Sequence, residues 1–178
     1  AVGGSATVAN VGTGTIVDDD GGPIITIGNG SAVEGNQVVF GVSLSNTSST
    51  PIILDLTATN GTATAGVDFT ANTFEYSTDG GTTWLPGGGV AGTQVTIPAN
   101  STGIQVRVSS IQDTTDEPDE TFTLGGTAIS GSVTAVNSGT GTIFDNDPAP
   151  TITIGNGSDV EGNQVVFGVT LSNPSSAP

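Results

Sequence analysis

Apolar and polar residues alternate in short segments along most of the chain, which is the pattern of half-buried β-strands. Turns rich in Gly, Asn and Asp separate these segments, and no window shows the period of a capped helix. The pattern predicts strands at residues 25–27, 38–45, 51–60, 73–77, 94–98, 103–109, 120–124 and 139–144. About seven to nine strands in one unit indicate an all-β, immunoglobulin-like Greek-key sandwich.

The composition fits many short strands joined by tight turns, since 28 residues are Gly and only 4% are aromatic. The hydrophobic fraction of 34% is low and the formal net charge is −16, a combination that is also typical of disordered chains. The regular alternation argues against disorder. The charge nevertheless allows folding to depend on a counter-ion.

A long internal repeat sets the domain organisation. Residues 25–46 return almost unchanged as residues 152–173, and residues 12–20 return as 139–147, in both cases 127 positions later. The turn and proline signals predict three parts: residues 1–20 as the C-terminal end of a preceding repeat, 24–147 as a complete sandwich, and 148–178 as a linker with the first strands of the next repeat.

The two end segments are complementary parts of one repeat, because 1–20 supplies its last strand and 151–178 its first strands. We expect them to pair with each other, to lie on a neighbouring chain or to fray. Head-to-tail strand exchange between identical subunits is therefore one hypothesis. Nothing at the start resembles a signal peptide, so we expect the chain to be a piece of something larger.

The amino-acid composition excludes most kinds of catalytic site, since the chain has no His, Cys or Met and its single basic residue is Arg107. There is no imidazole base, no thiol nucleophile and no lysine for a Schiff base. One arginine cannot form the basic surface that nucleic acid or anionic lipid requires. No segment reaches the ~18 apolar residues of a membrane span, so we expect no membrane insertion.

Many of the acidic residues are gathered in four turn segments. Residues 113–120 hold five carboxylates, Asp145 and Asp147 follow the last strand of the unit, and Glu34 and Asp68 lie in Gly-containing turns. Alternate loops of a sandwich meet at one end, where so many carboxylates would repel unless protonated or metal-bound. Calcium takes about six to eight oxygen ligands in irregular geometry, which such loops can supply.

These segments, taken in order, resemble the Calx-beta domain family. The resemblance covers residues 24–147 and rests on Val33-Glu-Gly35, Gly61-Thr-Ala-Thr-Ala-Gly-Val-Asp-Phe69, Asp116-Glu-Pro-Asp-Glu-Thr-Phe122 and Gly139-Thr-Gly-Thr-Ile-Phe-Asp-Asn-Asp147. It implies an immunoglobulin-like sandwich that binds Ca²⁺ at one end. The near-identical copies without Cys are most similar to the arrays of giant bacterial surface adhesins.

The resemblance implies metal ligands at six positions: Glu34, Asp68, Asp113, Glu117, Asp145 and Asp147. Asp116, Asp119 and Glu120 are candidates of second rank. Asn146 replaces an acid of the closing triplet, and Gln112 stands where calcium-sensing members carry Asp, so both departures reduce the charge of the ligand set. The alternative is that the acids form only a solvated surface of a salt-adapted protein.

A second motif, Ser77-Thr-Asp-Gly-Gly-Thr-Thr-Trp84, matches the Asp-box of sialidases and other β-proteins. Its residues favour a hairpin turn in which Asp79 bonds backbone amides and Trp84 packs against the turn. Sialidase chemistry needs an arginine cluster, which Arg107 alone cannot provide. Arg107 itself is expected on the exposed sheet face in a surface ion pair.

The sequence therefore favours a calcium-stiffened structural spacer over a catalyst. We expect an extracellular, cell-surface and bacterial location, with neighbouring repeats or identical subunits as partners and any glycan or surface ligand bound through other domains. A self-assembling filament subunit joined by strand exchange and a carbohydrate-binding module using Trp84 or Tyr76 stay open. Glycoside hydrolysis needs only two carboxylates, but one Trp and one Tyr are sparse for a sugar site, so we expect no enzyme activity.

Overall fold

The structure is a computed structural model that describes residues 3–4, 12–17 and 19–176. Every regular element in these residues is a strand, and the prediction of an all-β fold is confirmed. The strands are β1 Ile24–Ile27, β2 Gly30–Val33, β3 Gln37–Leu44, β4 Ile52–Asn60, β5 Glu75–Ser77, β6 Leu85–Pro86, β7 Gln94–Ile97, β8 Gly103–Ser109, β9 Glu120–Ser130, β10 Ala135–Asn137, β11 Gly139–Phe144, β12 Ile152–Ile154 and β13 Val169–Leu171.

The first eleven strands form a two-sheet sandwich. One sheet has the order β10-β1-β3-β8-β5-β6 and the other β2-β11-β9-β4-β7. Alternate residues of β3 and β8 are buried, as the sequence pattern predicts. The two sheets meet at Phe122, whose ring stacks on Phe69 at 4.4 Å between centroids and meets Phe40 edge-on at 5.8 Å. These side chains lie in one continuous apolar core.

Four strands of the sandwich differ clearly from the sequence prediction, and one of them is β6, a new two-residue strand that pairs with β5. The structure adds β2 and β10, which carry too few apolar residues to show alternation but pair in parallel with β11 and β1. Strand β9 continues to Ser130 instead of ending at Leu124, because β4 pairs with it from Phe122 to Ser130. This extension rests on backbone hydrogen bonds, and the residues Gly125 and Gly126 have no side chains that would show an apolar–polar alternation in the sequence.

The second copy is a separate two-stranded sheet, β12-β13. Its Ile152 is 67% exposed and its Phe167 56%, whereas the equivalent Ile25 and Phe40 are fully buried. The same sequence is therefore exposed here because no strand of the second copy covers it among the described residues. Residues 12–17 are likewise exposed and outside any described strand, and residues 1–2, 5–11 and 18 of the predicted preceding repeat lie outside the described residues. The predicted domain boundaries and strand exchange stay predictions.

No helix in the described part of the chain is of a length and apolarity that would cross a membrane.

Candidate metal centre

The four acidic segments are brought to one end of the sandwich by the strands that they follow. Glu34 lies directly after β2, in a turn where Gly35 has a φ of 76°. The Glu34 N–H donates to Phe144 O at 2.9 Å, so this turn is fixed against the end of β11. Asp145 and Asp147 come immediately after that strand. The parallel pairing of β2 with β11 therefore places the first and last acidic segments side by side.

One carboxylate cluster consists of Glu34, Asp113 and Asp147, with one oxygen of each within 4.8 Å of the others. Glu34 is only 9% exposed. Its Oε1 accepts a hydrogen bond of 2.9 Å from the Asp113 N–H, which ties the loop after β8 to the turn after β2. The cluster thus joins three segments that are far apart in the sequence.

A second cluster consists of Asp68, Glu117 and Glu120, again with one oxygen of each within 4.8 Å of the others. Asp68 is held by its own loop, because the Thr64 N–H donates to its Oδ2 at 2.6 Å. The Ile111 N–H donates to Asp68 O at 2.9 Å, which connects this loop to the segment after β8.

Asp145 lies with members of both clusters around one small cavity, which is lined by Glu34, Asp68, Glu117, Pro118, Glu120, Ile143 and Asp145. The Asp145 Oδ1 atom is buried and has no hydrogen-bond partner among the described residues. A buried carboxylate oxygen without a partner is costly. A cation in this cavity would supply the missing partner, so the residues present fit a hard metal ion such as Ca²⁺.

Three glutamates at this end have raised pKa values when no cation is present. Burial raises the pKa of Glu34, and the charges of Asp113, Asp147 and Asp145 raise it further, against the lowering effect of the Asp113 N–H. Burial and the neighbouring carboxylates also raise the pKa of Glu117. For Glu120 burial, followed by the hydrogen bond and charge of Asp68, raises the pKa to about 7. A bound cation would favour the ionised forms instead.

The six predicted ligands are therefore brought together, although their role as ligands stays a prediction. The three second-rank candidates have different surroundings. Glu120 belongs to the second cluster, whereas Asp119 Oδ1 accepts from the Asp145 N–H at 3.4 Å. Asp116 lies outside both clusters and bonds to Ser175. The feature that could have marked Glu120 as a ligand candidate of first rank is its position as the first residue of β9, opposite Ile143. That pairing places it two residues from Asp145.

Gln112 and Asn146, the two amides that the resemblance places where acids are expected, lie at the first cluster and bond to each other. Gln112 Nε2 donates to Asn146 Oδ1 at 3.2 Å, and Asn146 Nδ2 donates to Gln112 Oε1 at 3.0 Å. Gln112 Nε2 also lies 3.5 Å from Asp147 Oδ2 and from Glu34 Oε2. Gln112 thus donates to carboxylates that an acid at the same position would repel, whereas Asn146 Nδ2 also donates to the Glu34 backbone O at 3.2 Å.

Arg107 lies in a different part of the molecule. Its Nη2 contacts Glu75 Oε2 at 2.7 Å, and its guanidinium lies 4.3 Å from the Trp84 ring centroid. The Asp-box is a turn, as predicted: the Thr83 N–H donates to Asp79 Oδ1 at 2.9 Å, and Trp84 Nε1 donates to Gly81 O at 3.1 Å. Hydrogen bonds from Thr83 and Ser77 lower the Asp79 pKa to about 2.

No protein-family model and no curated protein sequence matches the chain. Similar solved structures include CBD12 from CALX1.2, with 15% identity and a TM-score of 0.53 over 83% of this chain and 70% of that one. The calcium binding domain CBD12 of CALX1.1 shows 22% identity and a TM-score of 0.50, over 69% and 44% of the two chains. The apo-form Calx CBD1 domain shows 20% identity and a TM-score of 0.48, over 70% and 98%. The chain therefore has a Calx-beta-like fold.

Proposed function

We propose that this chain is a calcium-binding spacer unit of a large extracellular surface protein. The observation that carries the calcium role is the buried, unpartnered Asp145 Oδ1 atom between two carboxylate clusters. A surface that was acidic only for solubility would keep its carboxylate oxygens in water. Here one of them is buried against other acids, which is the arrangement that a cation stabilises.

Calcium suits this set of ligands better than other common metals. The clusters offer carboxylate oxygens on loops, and the chain contains neither His nor Cys. Zinc sites are built mainly from those two side chains, and magnesium demands a stricter octahedral geometry. The fold similarity to a protein named as a calcium binding domain supports the same assignment.

A bound ion would connect the unit to the segment that leaves it. Asp145 and Asp147 lie between the last sandwich strand and Pro148, whereas Glu34 and Asp68 belong to the body of the sandwich. Calcium shared by these groups would fix the start of the linker and stiffen an array of such units. In this role the spacer would project another domain from a cell surface, and it requires no catalytic turnover.

The experiment is a comparison of thermal unfolding in millimolar calcium and in chelator, with Asp145→Asn and the control Asp55→Asn. Asp55 is remote from the clusters, and its Oδ1 accepts from Thr93 Oγ1 at 2.5 Å, an interaction that Asn preserves. We expect calcium to raise the melting temperature of the natural chain and of Asp55→Asn. The rise should be mostly lost in Asp145→Asn. Identical melting curves with and without calcium would remove the calcium role.

A filament subunit is the second candidate, and the exposed apolar side chains of the two end segments, residues 12–17 and 151–176, favour it. Val169 is 63% and Leu171 57% exposed, and Ile16 is 99% exposed. Strand exchange between chains would cover these side chains. Analytical ultracentrifugation across a concentration series tests this candidate, since a chain that stays monomeric at high concentration is not a filament subunit.

A further inference from the structure

The acidic loop of the complete unit, residues 113–119, makes a direct contact with the second copy. Asp116 and Ser175 form an isolated parallel β-bridge. The Asp116 N–H donates to Pro174 O at 3.1 Å, and the Ser176 N–H donates to Asp116 O at 3.0 Å. Ser175 Oγ also donates to Asp116 Oδ2 at 2.8 Å. One residue of the acidic loop is therefore held by three residues of the following copy.

The repeat contains this receiving loop twice. A shift of 127 positions maps 174–176 onto Thr47, Ser48 and Ser49, in the loop after β3 of the complete unit. There the Asn100 N–H donates to Ser48 O at 2.7 Å. Neither Thr47 O nor the Ser49 N–H has a hydrogen-bond partner among the described residues. The equivalents of the two backbone groups that hold Asp116 in the second copy thus belong to exposed residues in the first, and no described residue bonds to them.

The surroundings of this loop suit a polar partner. Residues 46–50 line an open cavity of about 370 Å³ together with Asp20, Gly22, Asn100 and Ser132. Asp20 is the repeat equivalent of Asp147, which lies in the first carboxylate cluster. The cavity therefore lies beside the start of the unit, at the place that corresponds to the observed contact with the acidic loop.

We propose that residues 46–50, the joint loop, bind the acidic loop of another copy of this unit through the same parallel bridge. The residue equivalent to Asp116 in that copy would donate its N–H to Thr47 O and accept from the Ser49 N–H, while Ser48 Oγ donates to its carboxylate. The partner is the unit that precedes this one in an array. This deepens the proposed spacer role by naming the contact between units, and the contact itself uses no metal.

Such a contact is suited to neighbours in one chain. A few hydrogen bonds at an exposed loop give weak association between separate molecules, whereas a short linker holds two units at an effective concentration in the millimolar range. The contact at the joint loop would therefore form mainly between neighbouring units of one array. Between separate chains, the contact has to be trapped covalently in order to be measured.

The absence of cysteine makes thiol trapping clean. One full-length chain carries Ser48→Cys, converted to a mixed disulfide with an aromatic thiol. The other carries Asp116→Cys together with Ser176→Pro, which removes the N–H that occupies Asp116 O in the same chain. The thiolate at position 116 attacks the mixed disulfide, forms a disulfide between the two chains and releases the aromatic thiolate, which is measured by its absorbance.

The matched control replaces Asp116→Cys by Asp119→Cys in the same background, because both positions lie in the acidic loop, three residues apart, and Asp119 is the more exposed of the two. The proposal predicts that the thiol at position 116 reacts at least about tenfold faster than the one at 119, since docking holds it near position 48. Equal rates would overturn the proposal. A separate chain with Asp116→Cys and Ser175→Cys should close its disulfide within the chain when oxidised glutathione is added, which accepts the two electrons and is released as two reduced glutathiones. Failure to close would also count against the bridge.

The trapping is run in calcium and in chelator so that it can be separated from the calcium role. Asp116 belongs to neither carboxylate cluster. If position 116 is trapped fast in both conditions and the melting temperature does not respond to calcium, the contact at the joint loop is supported and the calcium function is refuted. If the melting temperature responds to calcium but positions 116 and 119 are trapped at equal rates, the calcium function is supported and the contact at the joint loop is refuted.

Discussion

Glu34→Gln gives a prediction in which the sign of the effect depends on calcium. Glu34 has one oxygen within 4.8 Å of oxygens of both Asp113 and Asp147. Two unit charges at this distance repel by about 0.9 kcal/mol at the dielectric constant of water and about 3.5 kcal/mol at an effective value of 20. Even the lower figure gives about 2 kcal/mol for the two pairs. Gln keeps the shape and the acceptor for the Asp113 N–H but removes this repulsion.

In chelator the variant should therefore be the more stable protein. Weakening the charged hydrogen bond from the Asp113 N–H offsets about 1 kcal/mol of the gain. A net gain of about 1 kcal/mol corresponds to a rise of about 2–4 °C in melting temperature for a chain of this size. Calcium at a hundredfold excess over its Kd adds about 2.7 kcal/mol to a binding-competent chain. The natural chain should then become the more stable one.

The assay is differential scanning calorimetry of the natural chain, Glu34→Gln and Asp55→Asn in calcium and in chelator. The order of melting temperatures for Glu34→Gln and the natural chain should reverse between the two conditions, whereas Asp55→Asn should track the natural chain in both. A Glu34→Gln variant that is less stable in chelator would refute the repulsion argument. A variant that keeps the full calcium shift would refute the assignment of Glu34 as a ligand.

Four further predictions concern the two carboxylate clusters, the apolar core and the Asp-box turn. Gln112→Asp adds a carboxylate to the first cluster, so titration calorimetry should show roughly tenfold tighter calcium binding, about 1.4 kcal/mol, and melting in chelator should occur at lower temperature. Because burial and Asp68 raise the folded-state pKa of Glu120 from 4.5 to about 7, the proton is bound more tightly in the folded state. In chelator, the contribution of Glu120 to the free energy of unfolding should therefore be greatest below pH 4.5. Urea titrations should show that it falls by about 1 kcal/mol as the pH rises to 7, after allowance for solvent screening. Gly141→Ala places a Cβ 2.6 Å from the Phe122 ring and 2.8 Å from that of Phe40, and should cost about 1–3 kcal/mol in the same titrations with and without calcium. Asp79→Ala removes the acceptor of the Thr83 N–H and should shift Trp84 fluorescence to the red while leaving the calcium-induced rise in melting temperature unchanged.

The sequence predicted the strands that have one buried face. In β3 and β8 every second side chain enters the core, so the alternation is visible in the residue types. It could not predict β2 and β10, since these lie at sheet edges and are held by parallel backbone pairing. Backbone hydrogen bonds leave no signature in the side chains, and edge strands need few apolar residues.

The candidate site was predictable in its segments and less so in its arrangement. Family resemblance marked Glu34, Asp68 and Asp145, and the structure brings them together around one cavity. The division into two clusters depends on how the loop after β8 folds, which the sequence does not specify. The separation of Asp116 from the clusters depends on Ser175, a residue 59 positions away. Such distant contacts are determined by tertiary packing rather than by local pattern.

The most direct test of the calcium role is anomalous X-ray diffraction from crystals of the chain grown in calcium after removal of bound metal by chelation. The account predicts an anomalous peak at the end of the sandwich, within ligand distance of Asp145 Oδ1 and of oxygens of Glu34 or Asp68. Calcium-grown crystals that diffract well but show no anomalous peak among these carboxylates would contradict it.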